Sequence, residues 1–140
     1  MAKLTSDRSY RAYLMMELLR STGEREFPMQ LASIFFWIGS HNGCKQEDLQ
    51  KAVGISASSV SRCVTWLGPR HRLEHRPGLK LVRRERDPDN YKAWRLYLTP
   101  KGKQFVNLLE HTVDMPLPKV VDSVNHTRES FAYDDDEDLG

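Results

Sequence analysis

Cysteine is scarce in this chain: two in 140 residues, Cys44 and Cys63. A disulfide scaffold needs more, so the chain is expected to hold together by its core and to suit a reducing compartment, the cytoplasm. Long hydrophobic runs are missing too. The longest apolar stretch, residues 31–38, falls far short of the roughly 20 residues that span a bilayer. The opening MAKLTSD has no apolar segment of the kind that marks a secretion signal, so membrane and secreted readings are set aside. Catalytic signatures are absent as well. There is no P-loop, no Gly-rich dinucleotide motif and no nucleophile-and-base arrangement, and carboxylates cluster only in the final acidic run. No enzyme and no cofactor are expected. His41, Cys44, His71 and His75 show no third and fourth ligand at a standard spacing, so no metal is expected either.

Strong net charge is also lacking, at +2, but its distribution is uneven. Residues 1–53 carry 7 Lys and Arg against 6 Asp and Glu, residues 54–103 carry 12 against 4, and residues 104–140 carry 2 against 9. A basic middle beside an acidic end suggests a polyanion-binding segment with a competing mimic of its ligand attached. A length of 140 residues suits one core.

Along the chain, residues 6–20 read as a helix with Tyr10, Tyr13, Leu14, Leu18 and Leu19 on an apolar face and Glu17 on the polar one. Residues 28–38, opened by Pro28, are apolar nearly all round and are expected to form a central helix. Residues 45–53 form a short helix with Leu49, Ala52 and Val53 inward. Gly54 stands where a left-handed cap belongs. Ser56 is an N-cap for a helix to about residue 67. On it Val60, Cys63, Val64 and Leu67 share the inner face, while Ser58, Ser61, Arg62 and Thr65 share the outer. Residues 79–86 and 93–99 read as strands around the turn Asp87-Pro88-Asp89-Asn90. Thr99-Pro100 opens a helix to about residue 112 that should bury Phe105, Leu108 and Leu109. Residues 119–131 are expected to be a further helix and residues 134–140 to be disordered. Both cysteines are expected to pack as small hydrophobes rather than to sense oxidants.

Two short helices meeting at a Gly-Ile-Ser turn make a helix-turn-helix, and a hairpin with a basic tip follows. The fold class is therefore mainly α with a small β-hairpin wing, a winged helix-turn-helix. Small polar residues at the start of the second helix let its backbone approach a groove floor, and its free N–H groups suit a phosphate. The candidate nucleic-acid contacts are Ser56, Ser58, Ser59, Ser61, Arg62 and Thr65 on that helix. Arg83, Arg84, Arg86, Lys92 and Arg95 are the candidates on the wing. Arg70, Arg72 and Arg76 are further candidates in the connection between them.

The segments KQEDLQKAVGISASSVSRCVTWL and LVRRERDPDNYKAWRLYLTPKG resemble the helix-turn-helix and wing of the MarR family of bacterial transcriptional regulators, over residues 28–109. The resemblance implies a homodimer that binds double-stranded DNA, with recognition helices in successive major grooves and wing tips in the flanking minor grooves. It implies a role in transcription, expected to be repression, and leaves room for a small-molecule effector. It also implies dimerisation through residues 1–27 and 113–133, around a DNA-binding domain at 28–112 and ahead of the tail at 134–140. The sequence departs from the family at three places. The wing motif Asp-Xaa-Arg is replaced by Asn90, Tyr91 and Lys92. About nine extra residues lie between Leu67 and Leu81. Pro116 and Pro118 interrupt the C-terminal helical region. Two other readings stay open: a single-strand or non-specific nucleic-acid binder with an acidic regulatory tail, and a winged-helix module that binds protein.

Overall fold

The computed structural model describes residues 2–22, 26–70 and 77–117. The expected helix at 119–131, the acidic run at 134–140, and His71, Arg72, His75 and Arg76 lie outside these residues.

The described chain forms five helices and three short strands: α1 (Asp7–Arg20), α2 (Met29–Ser40), β1 (Cys44–Lys45), α3 (Gln46–Val53), α4 (Ala57–Leu67), β2 (Val82–Arg86), β3 (Trp94–Leu98) and α5 (Pro100–Asp114). It is mainly α with a small antiparallel sheet in the order β1-β3-β2. Two compact units divide it, one of Pro28–Asn107 and one of the residues on either side.

In Pro28–Asn107, α2 is the central element and touches α3, α4 and β3. Its Leu31, Ile34, Phe35 and Ile38 are fully buried, each contributing about 1.5–3 kcal/mol by leaving water. Phe105 of α5 meets Phe35 edge-on at 5.8 Å. The expectation of a helix apolar all round holds only in part. Met29 is 87% exposed, and Gln30, Ser33 and Ser40 share its outward side. On α3 only Leu49 is fully buried, and Ala52 faces solvent. Eight residues give one inward stripe about a single large side chain. Cys44 and Cys63 are half-buried rather than core residues. Val60, Val64 and Leu67 fill the inner face of α4, leaving Cys63 at its edge beside Gln30.

The sheet carries one strand more than the expected hairpin. Cys44 and Lys45 pair with Leu96 and Arg95, and Asn42 Oδ1 accepts the Leu98 N–H at 2.8 Å. Residues 42–45 thus satisfy an edge of β3 that would otherwise lie open. Thr99 opens α5 as expected, accepting the Gly102 N–H at 2.9 Å. Gly102 itself is required by closeness: a Cβ there would collide with the Leu81 carbonyl oxygen.

In the other unit, Ser6 caps α1 by accepting the Ser9 N–H. Tyr10 and Leu14 form a small cluster with Leu4, Tyr13, Met115 and Leu117, and Arg11 Nη1 donates to the Thr112 carbonyl at 3.1 Å. Glu17 is buried, against expectation, and is held by Arg20 at 2.8 and 3.1 Å. On α5, which begins in the Pro28–Asn107 unit, Gly102, Leu109 and Thr112 are buried with Phe105 partly so. That stripe at helical spacing leaves Leu108 45% exposed rather than buried.

Candidate nucleic-acid interface

Gly54 ends α3 with φ 73°, the left-handed conformation its position demands, and its N–H returns to the Gln50 carbonyl at 2.9 Å. Two residues later Ser56 caps α4, its Oγ accepting the Ser59 N–H at 3.2 Å. This is the expected helix-turn-helix. Around the cap the hydroxyls form a cluster. Ser56 Oγ lies 2.9 Å from Ser59 Oγ and 3.2 Å from Ser58 Oγ, and Arg62 Nη2 donates to Ser59 Oγ at 3.2 Å. Ser56, Ser58 and Arg62 are exposed and Ser59 is half-buried. The arginine is thus laid back along the first turn, on the face with the free helix-start N–H groups.

The outer face is narrower than the sequence stripe indicates. Ser61 and Thr65 are half-buried. Thr65 Oγ1 donates to the Ser61 carbonyl at 2.8 Å and accepts from Arg84 Nη2 at 3.2 Å, so this hydroxyl is spent on the protein. Arg84 packs near the Trp94 ring, 5.2 Å from its centre. Burial, and then the like charge of Arg86, lower its pKa. Thr65, Arg70 and Arg84 line a cleft of about 100 Å³ between α4 and β2.

The wing turn is built on Asp87, which is buried. Its carboxylate accepts the Asp89 N–H at 2.9 Å and lies 3.3 Å from Arg95 Nε. Arg95 Nη1 also donates to the Gly43 carbonyl at 2.9 Å. The Asp89 N–H and, behind it, the charges of Arg95 and Lys45 hold the Asp87 carboxyl below the usual carboxylate range. Arg95 therefore ties the hairpin to the residues ahead of β1. Arg83 is paired with Glu85 and lies 4.6 Å from the centre of the Tyr97 ring. Arg86 lies 3.7 Å from the centre of Trp94 and 5.9 Å from that of Tyr91. Lys92 is exposed in the turn, where its N–H donates to Asn90 Oδ1 at 3.2 Å.

The candidates therefore fall into two groups. Ser56, Ser58, Arg62, Arg86 and Lys92 face solvent, whereas Arg84, Arg95 and Thr65 are engaged with the protein. Arg70 is exposed next to the cleft. Reasoning from sequence placed Asp87, Tyr91 and Trp94 in the wing but gave them no part in the site. The alternation of β3 carried a signal for Trp94, since it shares the face of Leu96 and stands opposite Arg86.

Among the described residues no group of His, Cys, Asp and Glu is arranged to hold a metal. None of the described helices is long and apolar enough to cross a membrane. No protein-family model matches the sequence, and no curated protein matches it. Solved structures do match. The crystal structure of MarR is similar at 20% identity and a TM-score of 0.50, over 91% of this chain and 75% of that one. The Staphylococcus aureus MepR–DNA complex is similar at 17% identity and a TM-score of 0.54, over 90% of each chain. Reduced AbfR bound to DNA is similar at 12% identity and a TM-score of 0.51, over 95% of this chain and 89% of that one. At such identities what is shared is the architecture: the chain has the winged helix-turn-helix fold of the MarR-type regulators.

Proposed function

We propose that this chain is a MarR-type transcriptional regulator that binds double-stranded DNA as a homodimer and acts as a repressor in the cytoplasm. The observation that carries the reading is the solvent face at the start of α4. Exposed Ser56, Ser58 and Arg62 surround free helix-start N–H groups, and a hairpin bearing the exposed cation Arg86 follows. Small hydroxyls and a helix N-terminus suit a phosphate or a groove floor, and an arginine on the same face can donate to a guanine edge. That the similar MepR and AbfR structures hold DNA supports the same use here.

Dimerisation draws support from Met16, Leu108 and Val113. All three are large apolar side chains exposed by 43–45% in the unit of α1 and the end of α5, and a second copy of that unit would cover them. The corresponding assignment keeps residues 28–112 for DNA and residues 1–27 and 113–133 for the dimer. A small-molecule effector has a foothold in the cleft of about 100 Å³ lined by Thr65, Arg70 and Arg84, a size for a small anion.

Selection from a random duplex library at physiological salt tests the function. Enrichment of a two-fold-symmetric site is the expected result. Recovery of DNA with no enriched sequence would favour the non-specific binder, and stronger competition by the single strand would favour that alternative. Absence of recovery would overturn DNA binding and favour the protein-binding module.

A further inference from the structure

The wing arginines are unequal in what they have left to offer. Arg83 is paired with Glu85. Arg95 is divided between Asp87 and the Gly43 carbonyl. Arg84 is half-buried against Thr65. Arg86 alone among the arginines of β2 and β3 is exposed and, among the described residues, has neither a hydrogen bond nor a carboxylate in ion-pair reach. Its guanidinium is nonetheless in place. It stands over Trp94 at 3.7 Å on the last rung of the β2–β3 ladder, with the Tyr91 ring 5.9 Å away and 74% exposed.

A guanidinium stacked on an indole keeps its N–H edges free, loses little solvation and has fewer rotamers to give up on binding. Arg84 shares the same indole from 5.2 Å, so two positive groups flank one ring and, among the described residues, neither has a carboxylate in ion-pair reach. That arrangement attracts an acceptor from outside. Lys92 is the residue to which the wing motif would give this task, but it is an exposed ammonium in the turn, with no ring contact among the described residues. Its neighbour Asn90 is used to hold the Lys92 backbone.

We propose that Arg86, held by Trp94 and bordered by Tyr91, is the wing's contact with nucleic acid, donating to a phosphate or base-edge acceptor beyond the recognition-helix footprint, and that Lys92 is dispensable for it. This deepens the DNA-binding reading and rests on it. The contact has the character of a pre-set donor fork rather than of a diffuse charge. It therefore depends on the planar group and on the ring beneath it.

The test measures duplex binding by the full chain, using the enriched site with and without its flanks, across a salt series. R86A should weaken binding about tenfold on the flanked duplex, the size of one good directional contact, and should leave the thermal midpoint unchanged. R86K should recover only part of that loss. K92A should change affinity less than about twofold, the effect of an exposed point charge. W94F, which keeps a ring, should bind better than W94L. Removing the flanks should erase the difference between R86A and the parent. If the acceptor is a phosphate, R86A lowers the log–log salt slope by about 0.9. If it is a base edge, the slope holds and the R86A penalty changes with flank sequence. Equal losses in K92A and R86A, full recovery by R86K, or an R86A penalty that survives flank removal would each overturn the proposal while leaving DNA binding standing. No duplex binding by the parent would overturn both.

Discussion

Arg62 on α4 and Cys44 on β1 are put to opposite uses. Arg62 is exposed and braced on Ser59, so R62A should weaken duplex binding by about tenfold or more, the range of one arginine contact to a base edge. Among the described residues its anchor is the hydroxyl of the half-buried Ser59, so the melting curve should not move. Cys44 is the reverse case. Burial, with a smaller contribution from Asp48, pushes its thiol up to about 11. Its thiolate is therefore rare at neutral pH, which runs against a redox role. In a C63S background, alkylation at pH 8 should be about a hundredfold slower in the folded protein than in denaturant, as two pKa units imply. Comparable rates in the two states would show the thiol to be activated. The raised value also has a sign for stability: the contribution of the protonated thiol is complete below about pH 9 and fades as pH rises towards 11.

At the scale of elements, the wing turn is sensitive to acid. The Asp87 carboxyl is held low by the Asp89 N–H and by Arg95, so its contribution is present above the unfolded value of about 4 and is lost as pH falls through the lower folded value. D87N should therefore be less stable than the parent at pH 7, and the gap should close in denaturant titrations taken below pH 4. A gap that stays constant down to pH 2 would mean the charge is irrelevant there. This turn also marks where sequence reading stops. The cap at Ser56, the left-handed Gly54, the α4 core stripe and the opening of α5 at Thr99 follow from local rules of residue type and spacing, and all were legible. The bond from Arg95 to Gly43 spans 52 positions, and no local rule contains it. The same is true of β1, which is two residues long and exists only because β3 offers an edge. Among the candidate contacts, helical spacing placed Ser58 and Arg62 on the solvent side of α4 but also took in the half-buried Ser61 and Thr65. Spacing along helix or strand could not show which outer cations had already been taken by Glu85, Asp87 and Thr65.

Over the whole molecule the charge division is the property that solution measurements read most directly. Duplex affinity should fall steeply with salt, by about 0.9 in log–log slope for each phosphate neutralised. Deleting residues 134–140 removes five acidic side chains and should tighten non-specific binding at low salt. Unchanged affinity after the deletion would leave the tail a solubilising role only.

The connection between α4 and β2 carries a consequence of another kind. The chain departs after Gly68 and returns at Gly78 through a stitched neck: Gly78 N–H to the Pro69 carbonyl, Leu79 to Trp66, Lys80 to Gly68 and Leu81 to Leu67, all between 2.8 and 3.1 Å, with Arg70 bridged to Pro77. Gly78 is fixed at this neck, since a Cβ there would strike the Gly68 carbonyl oxygen. Such a neck isolates whatever lies beyond it. Loop length costs little in closure entropy, about 0.6 kcal/mol per doubling, so the sequence between Arg70 and Pro77 can be shortened, lengthened or exchanged while α4 and β2 keep their geometry. The neck thereby makes the fold tolerant of sequence change at a point next to the proposed nucleic-acid face.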